Sequence, residues 1–564
     1  LNNYGSGRFL RLSLFISFWS LVFFVSLPRV VFSGPPPKSL VMSLSGDPKT
    51  FNILVSQEST SSEVGRFLFE GLTDLDPLSG EIQGRLAEKW EISADGLQWV
   101  FHLRRDVRWS DGQPFNADDV IFTFEVMADP SLIIPARDIF TVNGKTVKVK
   151  RLDDWTVEFK LPEPFAPFLL ALGQPILPEH LLSQSFSNGT FAKAWGLGER
   201  PDRIAGTGPF KIRKYVAGQR IELEKNPYYW KTDENGRPLP KLEQVLLLII
   251  PSPEVKLLKF MEGTLDVYMM SGRDYPVLKP LETSRNFSIL KSGPGLGSNF
   301  LVFNQGTSDE SKRRWFKSRR FREAAAHALD RQSLVEIVLN RLGVFQCSPL
   351  SPSIPYYYTE VSCRDFDPVR ARQILQEEGF DDRNSDGVLE DAQGKDLEFV
   401  LMTNAENSER VEITQMVRED LARAGMKVHL LVLEFNALVS KLLGTGDWDA
   451  VLIGFTGASD PHFGANVWKT QGSLHFWEPK DPQQAGEGQK RIDEIFASAS
   501  GLLDRAQRKV LYDEWQQIAG RDLPLIYTIL PETLAAVSDR LLHIRPSVLG
   551  GLFHNLEEID TADR

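Results

Sequence analysis

The sequence predicts an α/β protein of more than one domain. The chain has 564 residues, too many for a single hydrophobic core. From about residue 300 onward helical and strand patterns alternate, the texture of a partly parallel sheet covered by helices. Residues 97–161 read differently, as short alternating strands around one helix, a small mixed domain. Hydrophobic residues are 42% and charged residues 25% of the chain, the balance of a globular protein. The formal net charge of −11 argues against nucleic acid as a partner, since phosphate binding favours a basic surface.

The elements follow in order. Arg8 and Arg11 precede an uncharged run from Leu12 to Leu27, then Pro28 and the small-residue site Val31-Phe32-Ser33. This order predicts an export signal, residues 1–33, cleaved after Ser33. The run is shorter than the ~20 residues a spanning helix needs. Neither cysteine lies near that point, so a lipid-anchored cysteine is not expected. A Pro-rich linker leads to the strand "SLVMSL". In "SSEVGRFLFEGL", Val64, Phe67 and Leu68 fall at helical spacing. "LQWVFHL" alternates Trp99, Phe101 and Leu103 on one face of a strand. "FNADDVIFTFEVM" opens with Asn116 as N-cap and carries Asp118 and Asp119 where the helix dipole favours acids. "TVKVKRLDDWTVEFKL" and "GTGPFKIRKYVAGQRIELEKNPYYW" read as hairpins, the second turning at Ala217-Gly218. "QVLLLII" is a further strand.

In the later part, "FREAAAHAL" and "DRQSLVEIVLNRLG" are helices. "DPVRARQILQEEG" has Asp367 as N-cap, Pro368 in the first turn and Gly379 past the end. "SERVEITQMVREDLARAG" places Ile413, Met416, Val417 and Leu421 on one face. The strand "MKVHLLVL", the helix "NALVSKLLG" and the apolar strand Asp447–Phe455 follow. That strand delivers Asp460 through the turn Gly457, Ala458 and Ser459, and a carboxylate placed there needs a partner.

Motifs for chemistry are mostly absent. There is no G-x-x-x-x-G-K-[ST] phosphate loop, G-x-G-x-x-G fingerprint, G-x-S-x-G elbow or H-E-x-x-H, so no enzyme class is supported and no cofactor is required. "DRNSDGVLEDAQ" resembles a calcium loop, with Asp382, Asn384, Asp386 and Glu390 at the first, third, fifth and ninth positions. Its last position is Gln393 instead of a bidentate Glu. The segment reads either as a structural calcium site or as an Asn/Asp/Gly turn. Cys347 and Cys363 bracket a Pro-rich loop. They are either a disulfide staple, as an exported pair permits, or two separate thiols.

Several stretches together carry a resemblance. "LRRDVRWSDGQPFNADDV", "GTGPF" with "NPYYW", "FREAAAHALDRQSLVE", "DPVRARQILQEEGF" and "DWDAVLIGFTGASDP" occur in order. The chain resembles the family 5 extracellular solute-binding proteins, the dipeptide- and oligopeptide-binding proteins of ABC transporters. The resemblance implies two α/β lobes hinged around a cleft. Lobe one would combine residues 34–70, 206–295 and 534–564, with 71–205 inserted as an extra domain; lobe two would be 296–533. It implies capture of a short peptide by lobe closure in the periplasm and delivery to permease subunits, by a monomer. An oligosaccharide or metal chelate in the same cleft is the alternative. By that resemblance Asp460 would be the counter-charge for the ligand ammonium, or else an Asx-type cap of the Phe463 or Gly464 amide. Gly457, Ala458 and Ser459 would pair with the ligand main chain from one side, and Val55 to Ser59, including Gln57, from the other. Trp468 would wall a side-chain pocket or belong to the core.

Overall fold

The computed structural model describes residues 38–142 and 144–562; the predicted export signal, residues 1–33, lies outside them. Among the described residues no helix is long and apolar enough to cross a membrane.

The strand Ser39–Leu44 turns Leu40, Met42 and Leu44 to one face and Ser39, Val41 and Ser43 to the other, and is mostly buried. It pairs in parallel with Gln244–Ile249, from Ser39 opposite Gln244 to Leu44 opposite Ile249. The hairpin Phe210–Val216 and Arg220–Lys225 extends this sheet antiparallel, turning at Gly218 with φ +66°. A second sheet joins distant parts of the chain. Ile529–Ser538 lies between Val267–Met270 and Phe287–Pro294, all antiparallel, and Gly343–Phe345 also pairs with it.

The alternating region forms a five-stranded mixed sheet in the order 427–433, 398–404, 450–453, 300–303 and 526–527. Glu398–Asn404 runs parallel to both its neighbours, and Phe300–Phe303 runs antiparallel to both of its own. The helix Ser408–Arg423 covers one face, burying Ile413, Val417 and Leu421 as its spacing predicts. Two predicted helices wind wider at their C-terminal ends, with π-helical turns at Leu334–Val338 and Ser440–Thr445. The predicted strand Asp447–Phe455 is shorter, only Ala450–Ile453. Beyond Ile453 one more backbone bond, from the Ser298 amide to the Phe455 carbonyl, keeps the register of Phe300 opposite Ile453, and the Phe455 amide turns to Ser298 Oγ.

The mixed region at 97–161 is a four-stranded antiparallel sheet, Ala87–Ile92, Gln98–Leu103, Thr156–Lys160 and Lys148–Asp153. The helix Ala117–Ala128 packs on it, opened by a capping box. Asn116 Oδ1 accepts from the Asp118 amide at 2.7 Å and Asp119 Oδ2 from the Asn116 amide at 3.0 Å. Its core is aromatic. Phe159 lies 4.9 Å from Phe124, 5.5 Å from Phe101 and 5.4 Å from Phe168, edge to face.

The two halves touch at several places, two of them far apart. Arg273 donates to Ser408 Oγ at 3.2 Å and pairs with Glu412. At the other end the Ala166 amide donates to the Ser500 carbonyl at 2.7 Å, and Arg505 pairs with Glu81. Cys347 and Cys363 form a disulfide, with Cα atoms 4.8 Å apart. It closes the loop that carries Tyr356 and Ser353; Ser353 Oγ donates to the Pro294 carbonyl at 2.6 Å.

Phe159 is fully buried between three rings. Phe159→Ala should cost about 3–5 kcal/mol of stability in urea unfolding. A loss below ~1 kcal/mol would show that these rings do not set the local core.

Candidate functional site

A cavity of about 1420 Å³ opens beside the first sheet. Its wall includes the C-terminal end of the strand Ser39–Leu44, the loop Ile53–Ser56 and the helix Ser59–Leu68. The helix begins at Glu58, whose carboxylate accepts from the Thr60 amide at 2.7 Å and the Ser61 amide at 2.9 Å. Burial would raise the Glu58 pKa, but these bonds and the Ser61 side chain hold it below the ordinary range. The loop lies against the helix at Gly65, where a Cβ would stand 2.6 Å from Ile53 Cδ1. Gln57 is exposed at the rim of a neighbouring hollow that it shares with Ser56 and Ile133.

Leu296 brings the second half to this cavity. The segment Leu296–Ser298 crosses from one half to the other and runs against the end of the strand Ala450–Ile453. The Ser298 amide donates to the Phe455 carbonyl at 2.8 Å, and the Phe455 amide to Ser298 Oγ at 3.2 Å. A Cβ at Gly454 would lie 1.7 Å from the Ser298 oxygen, and one at Gly457 1.8 Å from the Leu296 oxygen. Only glycine fits at either position, and Gly457 also has φ +75°. Thr456, Gly457, Ala458 and Ser459 then continue without a backbone hydrogen bond to any described residue.

Asp460 ends this segment and is buried. Its Oδ2 accepts from Arg508 Nη1 at 2.7 Å and its Oδ1 from Arg508 Nη2 at 2.8 Å. The His462 amide donates to Oδ1 at 2.9 Å, so Asp460 caps the turn Pro461–Gly464. The capped amide is that of His462, not of Phe463 or Gly464; the Phe463 amide goes to the Asp460 backbone carbonyl at 3.3 Å. Asp460 therefore presents no free carboxylate to the cavity. Arg508 also donates to Tyr356 Oη at 2.8 Å and to the Ala499 carbonyl at 3.1 Å. Burial would lower the Arg508 pKa, but the bonds and charge of Asp460 hold it above its ordinary value. Nothing in the turn motif signals Arg508, which arrives from the separate helix Arg505–Asp522.

Trp468 is core and not a pocket wall. It is 4% exposed and lies 5.1 Å from Trp515 and 5.8 Å from Trp477. The calcium-like loop is held by its own turn. Asp382 Oδ2 accepts from Arg372 Nη2 at 3.2 Å and the Gly387 amide at 3.1 Å. Glu390 Oε2 accepts from the Arg383 amide at 2.8 Å, and Asn384 Nδ2 donates to Asp386 Oδ2 at 3.1 Å. Among the described residues no group of three or more His, Cys, Asp or Glu is placed to hold a metal ion.

His462 stands where the halves meet, 5.2 Å from Phe165 edge to face. Burial, reinforced by Arg508 and Lys469 against the pull of Asp460, lowers its pKa from 6.5 to about 4. Its contribution to stability is therefore complete above pH 6.5 and is lost as pH falls toward 4. His462→Gln should flatten the fall in melting temperature across that window. Asp119 and Asp420, raised by burial to about 6, gain stability on acidification instead. They are common to both proteins, so the difference reads His462; an unchanged slope would reject its part. Asp460→Ala leaves Arg508 buried without its carboxylate and should cost about 3–5 kcal/mol in denaturant unfolding. Asp460→Ala/Arg508→Met should recover most of that loss. A single variant as stable as the parent would show that the pair does not hold this turn.

The comparisons with known proteins agree with this architecture. The family model described as "Bacterial extracellular solute-binding proteins, family 5 Middle" matches residues 81–474. A "Probable ABC transporter-binding protein" of Deinococcus radiodurans is 28% identical over 526 residues, covering 88% of this chain and 87% of that protein. The oligopeptide-binding protein AppA of Bacillus subtilis is 28% identical over 524 residues, covering 90% of this chain and 89% of the relative. Its structure with a nonapeptide superposes with a TM-score of 0.71 at 26% identity, covering 94% of this chain and 100% of that one. The periplasmic binding protein MelB of Agrobacterium fabrum, solved with stachyose, shares the fold with a TM-score of 0.71 at 21% identity, covering 94% of this chain and 85% of that one. These structures are two-lobed periplasmic binding proteins, the fold that the four sheets and the crossing segment build here. The chain belongs to the family 5 bacterial extracellular solute-binding proteins.

Proposed function

We infer that this protein is the solute-capturing component of an ABC transporter and that its ligand is a short peptide held in extended form. The observation that carries the reading is the segment Thr456–Ser459, whose backbone donors and acceptors have no described partner. It starts at the crossing segment whose Leu296 lines the cavity. An extended peptide can pair its main chain with such an edge whatever its side chains. Gly457, Ala458 and Ser459 are the residues to pair with it, with Gln57 and Ser56 facing it from the first half. Closure of the halves around the ligand is the hinge motion of this fold class, and permease subunits receive the closed, loaded monomer. Export through a cleavable N-terminal signal to the periplasm fits that role. The nonapeptide held by AppA supports the peptide reading.

A non-peptide solute is the second reading, favoured by Asp460. Arg508 occupies both carboxylate oxygens, so the turn offers no counter-charge to a peptide ammonium. The stachyose held by MelB has no ammonium to satisfy.

Native mass spectrometry of the protein purified from its own host, with identification of the co-purifying mass, decides between them. Recovered short peptides are the expected result. A sugar or a metal chelate would overturn the peptide reading and leave the transport role standing.

A further inference from the structure

The strand Lys427–Leu433 forms one border of the five-stranded sheet, and its strand partner is Glu398–Asn404 alone among the described residues. The Lys427 amide donates to the Leu397 carbonyl, and the Leu433 carbonyl accepts from the Ala405 amide. The odd-numbered residues therefore turn their backbone groups into the sheet. Val428, Leu430 and Val432, which alternate with them, turn N–H and C=O outward. None of these groups has a hydrogen-bond partner among the described residues. The side chains of Leu431 and Val432 are exposed beside them.

An open strand edge pairs readily with another chain, and folded proteins blunt such edges with bulges, proline or charge. The other long exposed borders of this protein are blunted by an extra residue. Phe210–Val216 has a register shift between Ile212 and Lys214, and Ala87–Ile92 has one between Ala87 and Lys89. Lys148–Asp153 has one between Arg151 and Asp153, and Phe287–Pro294 one between Lys291 and Gly293. Lys427–Leu433 keeps one register along its whole length, contains no proline or glycine, and is otherwise Val and Leu apart from Lys427 and His429.

Its two ends differ in charge. Lys427 opens the strand and is exposed, with Nζ 2.9 Å from Glu398 Oε2. Glu434 follows its last residue and is exposed, and Glu406 lies beside it, accepting the Phe435 amide at 2.9 Å. Two copies of the strand set antiparallel about Leu430 bring Lys427 of each next to Glu434 of the other. In-register parallel pairing would set like charges together.

We propose that this protein self-associates through Lys427–Leu433, two copies pairing antiparallel about Leu430 so that their five-stranded sheets join into one. Val428 then meets Val432, and Leu430 meets its own copy, each pair exchanging both N–H···O bonds. The pairing is two-fold and uses the whole border, so it closes at a dimer. The border lies three strands, about 14 Å, from Phe300–Phe303, which the crossing segment enters, so that segment stays free. The inference does not rest on the peptide reading. The dimer is a reserve from which the monomer taken by the permease dissociates.

A contact along one strand edge is small for a dimer, so association on the order of tens of micromolar is expected. The test is sedimentation velocity of the purified protein across about 1–500 μM, a range that brackets this affinity. Residue-resolved hydrogen exchange is read at both ends of the range. A monomer–dimer equilibrium is expected, with slower exchange at the Val428, Leu430 and Val432 amides in the concentrated sample. Lys427→Glu should weaken the dimer at least about tenfold by setting two carboxylates together at each end. Glu434→Lys should do the same, and the two changes together should restore association to within about threefold. A monomer at every concentration would overturn the proposal, as would a larger oligomer. A dimer in which those three amides exchange as fast as in the monomer would place the contact elsewhere and overturn it too. A dimer left intact by folded Lys427→Glu would overturn the antiparallel register. Should the variants fail to fold, exchange in the wild-type protein decides.

Discussion

The close passage of Leu296–Ser298 against the end of the strand Ala450–Ile453 is the constraint on which the rest of the site depends. The crossing segment comes so near that Gly454 and Gly457 cannot carry a side chain. By taking the Phe455 amide on its hydroxyl and the Phe455 carbonyl on its amide, Ser298 carries the pairing past the end of the strand and ties the second half to the segment that joins it to the first. The backbone that follows makes no backbone hydrogen bond to a described residue, although Leu296 still runs close beside Gly457. A main chain left unpaired beside the crossing segment is costly to keep and useful to a ligand that brings its own donors and acceptors.

Two arginines near this edge have opposite characters, and geometry separates them. Arg508 meets a carboxylate head-on, with two short bonds in a buried setting, and the pair is self-contained. Its work is to hold the turn after Ser459 and to tie it to Tyr356 in the disulfide-closed loop. Arg410 meets only amide oxygens, and burial lowers its pKa. Desolvation acts on both, but only for Arg508 is it outweighed by a partner within the chain.

Much of the architecture was legible along the chain. The alternation of Trp99, Phe101 and Leu103, the capping box at Asn116, the Gly218 turn and the helical face of Ile413, Val417 and Leu421 are local patterns that a short window contains. The family could be read from ordered motifs for the same reason. The site was legible only in part. The turn Gly457-Ala458-Ser459 was visible as the end of an apolar strand, but the strand was read too long: only Ala450–Ile453 is strand. Asp460 stood out correctly as a carboxylate in need of a partner, and its partner could not be named, since Arg508 lies 48 residues away in sequence on another helix. Trp468 looked like a wall and is core because Trp515 and Trp477 arrive from elsewhere.

The sequence by itself determined the class of fold, the position of most helices and strands and the family, because periodicity, caps and turn residues act over a few positions. Tertiary structure alone decided which charges are neutralised and which remain available. That choice turns on whether a guanidinium finds a carboxylate or an amide oxygen at about 3 Å. In this protein the groups concerned come together only when strands and helices far apart in the chain are packed.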